Sequence, residues 1–190
     1  MAQAAAGGSR AAIGNTLHLV KRFFGAIKPG APDEVDERWA IDQLLPGEVD
    51  IWTRMNNPDR RHAIGVARAV AAGYPSLDDG PIDRPVLAAA LLHDSGKVIS
   101  GLRTPARVLA TVLWAVADDS LAARWRVAER RDFRVRLAEY RCHPELGQTL
   151  LAEAGAAPLT QLWAAQHHMP EERWTVPLPI GRLLKDCDDD

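Results

Sequence analysis

Apolar residues recur along this chain at three- and four-residue steps and nowhere sustain a two-residue alternation, so the pattern predicts helices and no sheet. Proline repeatedly stands where a first helical turn would begin, at Asn57-Pro58, Thr104-Pro105, His143-Pro144 and Ala157-Pro158. Glycine closes segments at Gly73 and Gly155. The predicted helices span 14–27, 36–45, 47–55, 58–72, 83–94, 105–117, 121–140, 144–154, 158–168 and 178–189. The stretch GYPSLDDGPIDRP is the clearest loop, and no internal repeat divides the chain. Few β-branched residues stand beside the many alanines, leucines and arginines, so an all-α bundle is expected.

Length and composition add the scale. At 190 residues, with 47% hydrophobic and 25% charged residues, the chain can bury one real core. The expected layout is a flexible tail over residues 1–12, a helical segment over 13–56 packing on the core, and the principal core over 57–190. Within the second part, Leu17, Val20, Phe23, Phe24 and Ile27 fall on one helical face opposite Lys21, Arg22 and Lys28. Packing on the domain is expected of that face in preference to a membrane surface. The opening MAQAAAGGSR lacks the apolar run of a secretory signal, and no run reaches membrane-spanning length. Cys142 and Cys187 form no CxxC pair, so a reducing cytoplasm is the expected compartment. A net charge of -2 gives no global attraction to nucleic acid or anionic membrane.

Candidate chemistry begins at LLHDSGKV, residues 91–98. Seven consecutive apolar residues, Val86 to Leu92, lead into His93 and Asp94, and a helix apolar all round is a buried one. A buried carboxylate stays ionised only when hydrogen-bonded, paired with a cation or bound to a metal. Taken alone, Asp94 could equally cap a turn through Ser95 and Gly96, with His93 a core residue. The other histidines weigh against that. His62 shares a stripe with Val66 and Val70, which points it at the core; His143 precedes Pro144; His167 and His168 end another apolar helix. In the last helix Ile180, Leu184 and Asp188 succeed one another at four-residue steps, which selects Asp188 from the terminal aspartates.

In this order, and through HAIGVA, LLHDSGK, HPELGQTLL, QHHMPEE and LLKDCDD, residues 57–189 resemble the HD-domain superfamily of metal-dependent phosphohydrolases, nearest its two-metal HD-GYP-like branch. The resemblance implies an HD-domain helical bundle in which His62, His93, Asp94 and Asp188 hold one metal. Asp94 would bridge to a second, held by His143, His167 and His168. Imidazole and carboxylate ligands suit divalent Fe, Mn, Co, Ni or Zn. Adjacent residues on a regular helix diverge by about 100°. His167 and His168 can therefore serve one metal only where the helix ends, and Met169-Pro170 supplies the break. Members with three metals carry a glutamate four residues before the first histidine, where this chain has Pro58, so two metals are implied. HHMPEERWTVPLP stands where the Gly-Tyr-Pro signature belongs, which argues against cyclic di-GMP as substrate.

The implied activity is hydrolysis of a nucleotide or other small phosphoester by a metal-bound hydroxide, with Asp94 and Lys97 as catalytic residues. Lys97 resembles the family lysine that contacts substrate phosphate, and is otherwise a solvated lysine after a turn. Two other classes fit the same ligands: a di-iron HD-domain oxygenase, and a metal- or nucleotide-binding sensor without turnover. Arg124 to Arg141 carries seven arginines, either a phosphate-receiving face or, preferably, a solvated face paired internally with Glu129, Asp132 and Glu139. Trp114, Trp125, Trp163 and Trp174 are expected to pack in the core in preference to stacking on a base.

Overall fold

The computed structural model describes residues 30–77 and 80–189. The predicted tail, the 14–27 helix and Asp190 lie outside the described residues. Among the described residues all regular structure is helical. In chain order the helices are α1 (Glu34–Asp42), α2 (Pro46–Arg54), α3 (Asn57–Gly73), α4 (Arg84–Leu92), α5 (Lys97–Ser100), α6 (Thr104–Trp114), α7 (Asp119–Arg126), α8 (Phe133–Arg141), α9 (His143–Glu153), α10 (Pro158–Gln166) and α11 (Leu178–Asp189).

Their ends are set by local chemistry. The four predicted prolines each sit in a first turn, of α3, α6, α9 and α10, where a missing N–H costs nothing. Asn56 caps α3 by accepting from Asp59 N–H at 2.9 Å. Gly155, at φ +73°, ends α9: its N–H donates to Ala152 and the next N–H, of Ala156, to Leu151, which turns the chain sharply into α10.

α4 is the axis of the main core. All seven residues from Val86 to Leu92 are buried, and α3 and α10 pack against it. Each buried leucine there contributes about 2 kcal/mol by leaving water. Trp52 and Ala40 of the first two helices, Leu151 of α9 and Leu184 of α11 share this core. A second cluster joins Leu102, Ala110, Trp114, Ala122, Leu137 and Ala138, with Trp125 edge-on to Trp114 at 5.7 Å.

That second cluster corrects the single helix expected over 121–140. The chain breaks between α7 and α8, with Val127 exposed and Asp132 starting a new helix by accepting from Arg134 and Val135 N–H. In one straight helix Ala122 and Ala138 would lie roughly 24 Å apart at 1.5 Å per residue, and could not both reach Trp114. Folding back lets two short apolar stripes cover one patch. The arginines of this region are largely paired: Arg131 with Glu139, Arg134 with Asp132, and Arg136 with the carbonyls of Ser100 and Gly101.

A buried ion pair ties the two clusters together. Arg107 of α6 donates through Nη1 to both oxygens of Asp59 in the first turn of α3, at 2.7 and 2.8 Å, and through Nε to the Leu102 carbonyl. Removing one partner strands a charge, so Arg107→Met is expected to cost about 3 kcal/mol, read as a lower urea midpoint. An unchanged midpoint would show that the pair does not hold α6 to α3.

Candidate metal centre

Three helix C-termini end on histidines that meet at one point. His93 caps α4, His167 caps α10, and His143 lies just past the end of α8. In each, Nδ1 donates to the carbonyl three residues earlier in the helix's last turn: Ala90 at 2.9 Å, Tyr140 at 2.8 Å and Ala164 at 2.9 Å. A carbonyl can only accept, so a proton is on Nδ1, and each ring when neutral presents a bare Nε2 lone pair.

Those Nε2 atoms converge on Asp94. Its Oδ1 faces Nε2 of His143 at 3.2 Å and of His167 at 3.7 Å. Its Oδ2 faces Nε2 of His93 at 3.5 Å and is ion-paired with Lys97 Nζ. Nearer the surface, His62 Nε2 lies 2.9 Å from Asp188 Oδ1, which is also 3.5 Å from His93 Nε2. The His168 ring centroid is 5.3 Å from that of His143 and 4.0 Å from that of His167.

Electrostatics assign the protons at the centre. Burial opposes the charge on Asp94, but Lys97 and His93 outweigh it and hold the carboxyl well below its ordinary range. Burial pushes His167 down to about 4, so this ring is neutral near pH 7. Burial also opposes a second proton on His93, yet the Asp94 and Asp188 carboxylates outweigh it and raise its pKa to about 9. Asp188 is itself lowered, against its burial, by its hydrogen bond to His62 and by His93.

This arrangement is unfavourable as it stands. Asp94 Oδ1, His143 Nε2 and His167 Nε2 are buried and have no hydrogen-bond partner. Each such atom costs about 1–3 kcal/mol. Acceptors facing acceptors are relieved by a cation between them, and the donors suit one. Asp94, His143, His167 and His168 form one group that could hold a metal ion, and His62, His93 and Asp94 another, the donor atoms of each lying within 4.8 Å of one another. Asp94 belongs to both, one oxygen toward each.

The backbone is built to bring these groups together. A Cβ on Gly96, in the turn after Asp94, would collide with the His143 carbonyl and lie 2.6 Å from Gly147 N. The turn therefore presses directly on the first turn of α9, which brings His143 to Asp94. On the other side the HHMP turn is clamped by Trp174, whose Nε1 donates to the carbonyls of Gln166 and Met169 at 3.1 and 3.0 Å while its ring packs edge-on to Trp163 at 5.3 Å. The Gln166 side chain bonds Thr175 at 2.7 Å through both its oxygen and its nitrogen.

Every residue singled out as a ligand in the sequence, His62, His93, Asp94, His143, His167, His168 and Asp188, lies in this cluster, with Lys97 against it. α10 ends at Gln166, so the helix break expected before Pro170 is present and both histidines turn to the same site. One orientation differs: His62 does not point into the core but sits at the rim with its side chain 39% exposed, because Ala63, Ile64 and Val66 occupy the buried face of α3. Sequence reasoning missed Gly147 and the clamp by Trp174 and Gln166. The only available signal was the position of Gly147 one helical turn after His143. The chain matches no family model, no curated protein and no solved structure.

Gly96→Ala is expected to push α9 away and abolish metal uptake while leaving the far-ultraviolet dichroism of a helical protein, as checked by metal analysis beside a dichroism spectrum. Wild-type metal content in this variant would show that the close approach is not what assembles the centre.

Proposed function

We propose that the chain is a metal-dependent phosphohydrolase acting on a nucleotide or other small phosphoester at a dinuclear centre. The observation that carries it is the orphaned trio of Asp94 Oδ1, His143 Nε2 and His167 Nε2, buried and aimed at one another. The order and spacing of the same residues, which resemble the HD-domain superfamily, support the reading.

His62, His93, Asp94 and Asp188 would hold one divalent ion, and Asp94, His143, His167 and His168 the other. Such ions supply Lewis acidity and a hydroxide nucleophile near neutral pH. The chain's own residues do the rest. The Nδ1 bonds to Ala90, Tyr140 and Ala164 fix the tautomers and ring orientations, as outer hydrogen bonds do around metal-ligating histidines. Asp94, with Oδ1 toward His143 and His167 and Oδ2 toward His93, would be the residue shared by the two ions. Lys97, whose charge is retained because Asp94 outweighs the effect of burial, stands beside the centre as a donor for phosphoryl oxygens.

The test is metal analysis of protein purified without oxygen, then turnover on a panel of phosphomonoesters and diesters. Two metals per chain and phosphate release are expected. His93→Ala and Asp94→Ala should each lower kcat by about 10³-fold, the scale of losing a principal charge-stabilising group. Oxygen uptake by the iron form with no phosphate release would instead select the oxygenase reading. Tight metal binding with no turnover on any ester would select the sensor.

A further inference from the structure

A separate cavity of about 350 Å³ shares Lys97 with the metal centre, but none of the histidines or aspartates of that centre lines it. Arg54, Asn56, Pro58, Lys97, Arg103 and Arg107 shape it, and no acidic side chain is among its lining residues. Lys97 is paired with Asp94 and Arg107 with Asp59. Arg54 and Arg103, which line it, are exposed and have no hydrogen bond or ion pair among the described residues, so two guanidinium charges at this cleft are left without a partner there. Guanidinium forks match phosphate oxygens.

Helix polarity adds to that charge. Asn56 and Pro58 belong to the N-terminus of the 17-residue α3. Arg103 is the N-terminal cap position of the 11-residue α6, makes no side-chain capping bond, and is followed by no acidic residue in the first turn. The end of α3 is capped by Asn56 and carries Asp59 in its first turn, so it is the uncapped positive end of α6 that opens on the cleft, and such an end favours anions. Its volume falls in the range of small-ligand sites and exceeds what a single phosphate needs.

We infer that this cleft is the subsite for a second, non-reacting phosphate of the substrate, with Lys97 lying between that group and the scissile ester at the His/Asp centre. The inference rests on the phosphohydrolase reading and narrows it: the preferred substrates carry two phosphate groups, and simple monoesters fill only the catalytic half. Remote anchoring of this kind holds the reacting ester in place while the anchor itself stays unchanged.

The cleft is testable without metal and without turnover. Adenosine 3′,5′-bisphosphate and adenosine 5′-monophosphate, which differ by one phosphate, are titrated calorimetrically into the chelator-treated full chain. The bisphosphate should bind about tenfold more tightly, and the Arg54→Ala/Arg103→Ala double variant should lose about that factor and bind the two probes alike. Because both arginines are exposed and have no partner among the described residues, the urea midpoint should not move, and Arg54→Lys/Arg103→Lys should recover part of the binding. Equal affinities in the wild type, or bisphosphate affinity unmoved in the double variant, would overturn the subsite. If the arginines govern bisphosphate binding but the metal-loaded protein turns over no ester, the anion subsite stands and the hydrolytic reading falls. Bisphosphate turnover as fast in the double variant as in the wild type overturns the subsite alone.

Discussion

The centre depends on one constraint: an ionised carboxylate, 6% exposed, surrounded by imidazoles that have committed their Nδ1 protons elsewhere. Had the three Nδ1 atoms been free to choose, each ring could have turned that N–H toward Asp94 and formed an ordinary buried hydrogen-bonded network. The carbonyls of Ala90, Tyr140 and Ala164 prevent this by taking the protons at the helix ends. The outcome is a set of Nε2 atoms pointed inward, which is a poor packing core and a good cation site. The same residues in the opposite tautomer would be a stabilised core cluster with no chemistry.

The topology separates charge in a way the net charge of -2 conceals. α4, α8 and α10 bring their C-terminal, negative ends to the His/Asp cluster, where a cation is favoured. α6 opens its uncapped N-terminal, positive end on the neighbouring cleft. Lys97, in the first turn after the buried aspartate, is the one residue shared by the two among the described residues. Lys97 thus stands between a carboxylate-bearing cluster and a cleft lined by arginines, among whose described lining residues no acidic side chain occurs.

Much of this was legible in the sequence, because it rests on short-range periodicity. The unbroken apolar run from Val86 to Leu92 could only be a buried helix, and His93 and Asp94, at its end, had to share its surroundings. The four-residue steps Ile180, Leu184, Asp188 picked out the terminal aspartate that meets His62 by the same logic, and Met169-Pro170 announced the helix end that brings two adjacent histidines to one cluster. The features that stayed hidden were decided between elements distant along the chain. Nothing in the run 121–140 says that its two apolar stripes must cover the same tryptophan, so the break at Val127 was unreadable. Gly96 read as a turn residue, yet its larger role is to let α9 touch the turn. His62 belonged to a core stripe by periodicity but occupies the end of it, where α3 runs out to the rim. The Arg107–Asp59 pair and the cleft it borders join positions 48 residues apart, beyond any local pattern.

The clustered histidines and aspartates also stitch the molecule together. His62 comes from α3, His93 and Asp94 from the end of α4, His167 and His168 from the end of α10 and Asp188 from α11, all elements of the main core. His143 alone stands at the junction where α8, which belongs to the second cluster, passes into α9, which belongs to the first. A cation held between Asp94 and His143 therefore does more than complete a site. It would fasten the α6–α8 layer to the main core at a point opposite the Arg107–Asp59 pair. Binding free energy at such a junction becomes folding free energy for the layer that also forms the cleft wall. The second cluster is small and rests on a few side chains around Trp114, so the Arg107–Asp59 pair carries much of the hold of α6 on the main core and keeps the cleft wall in place.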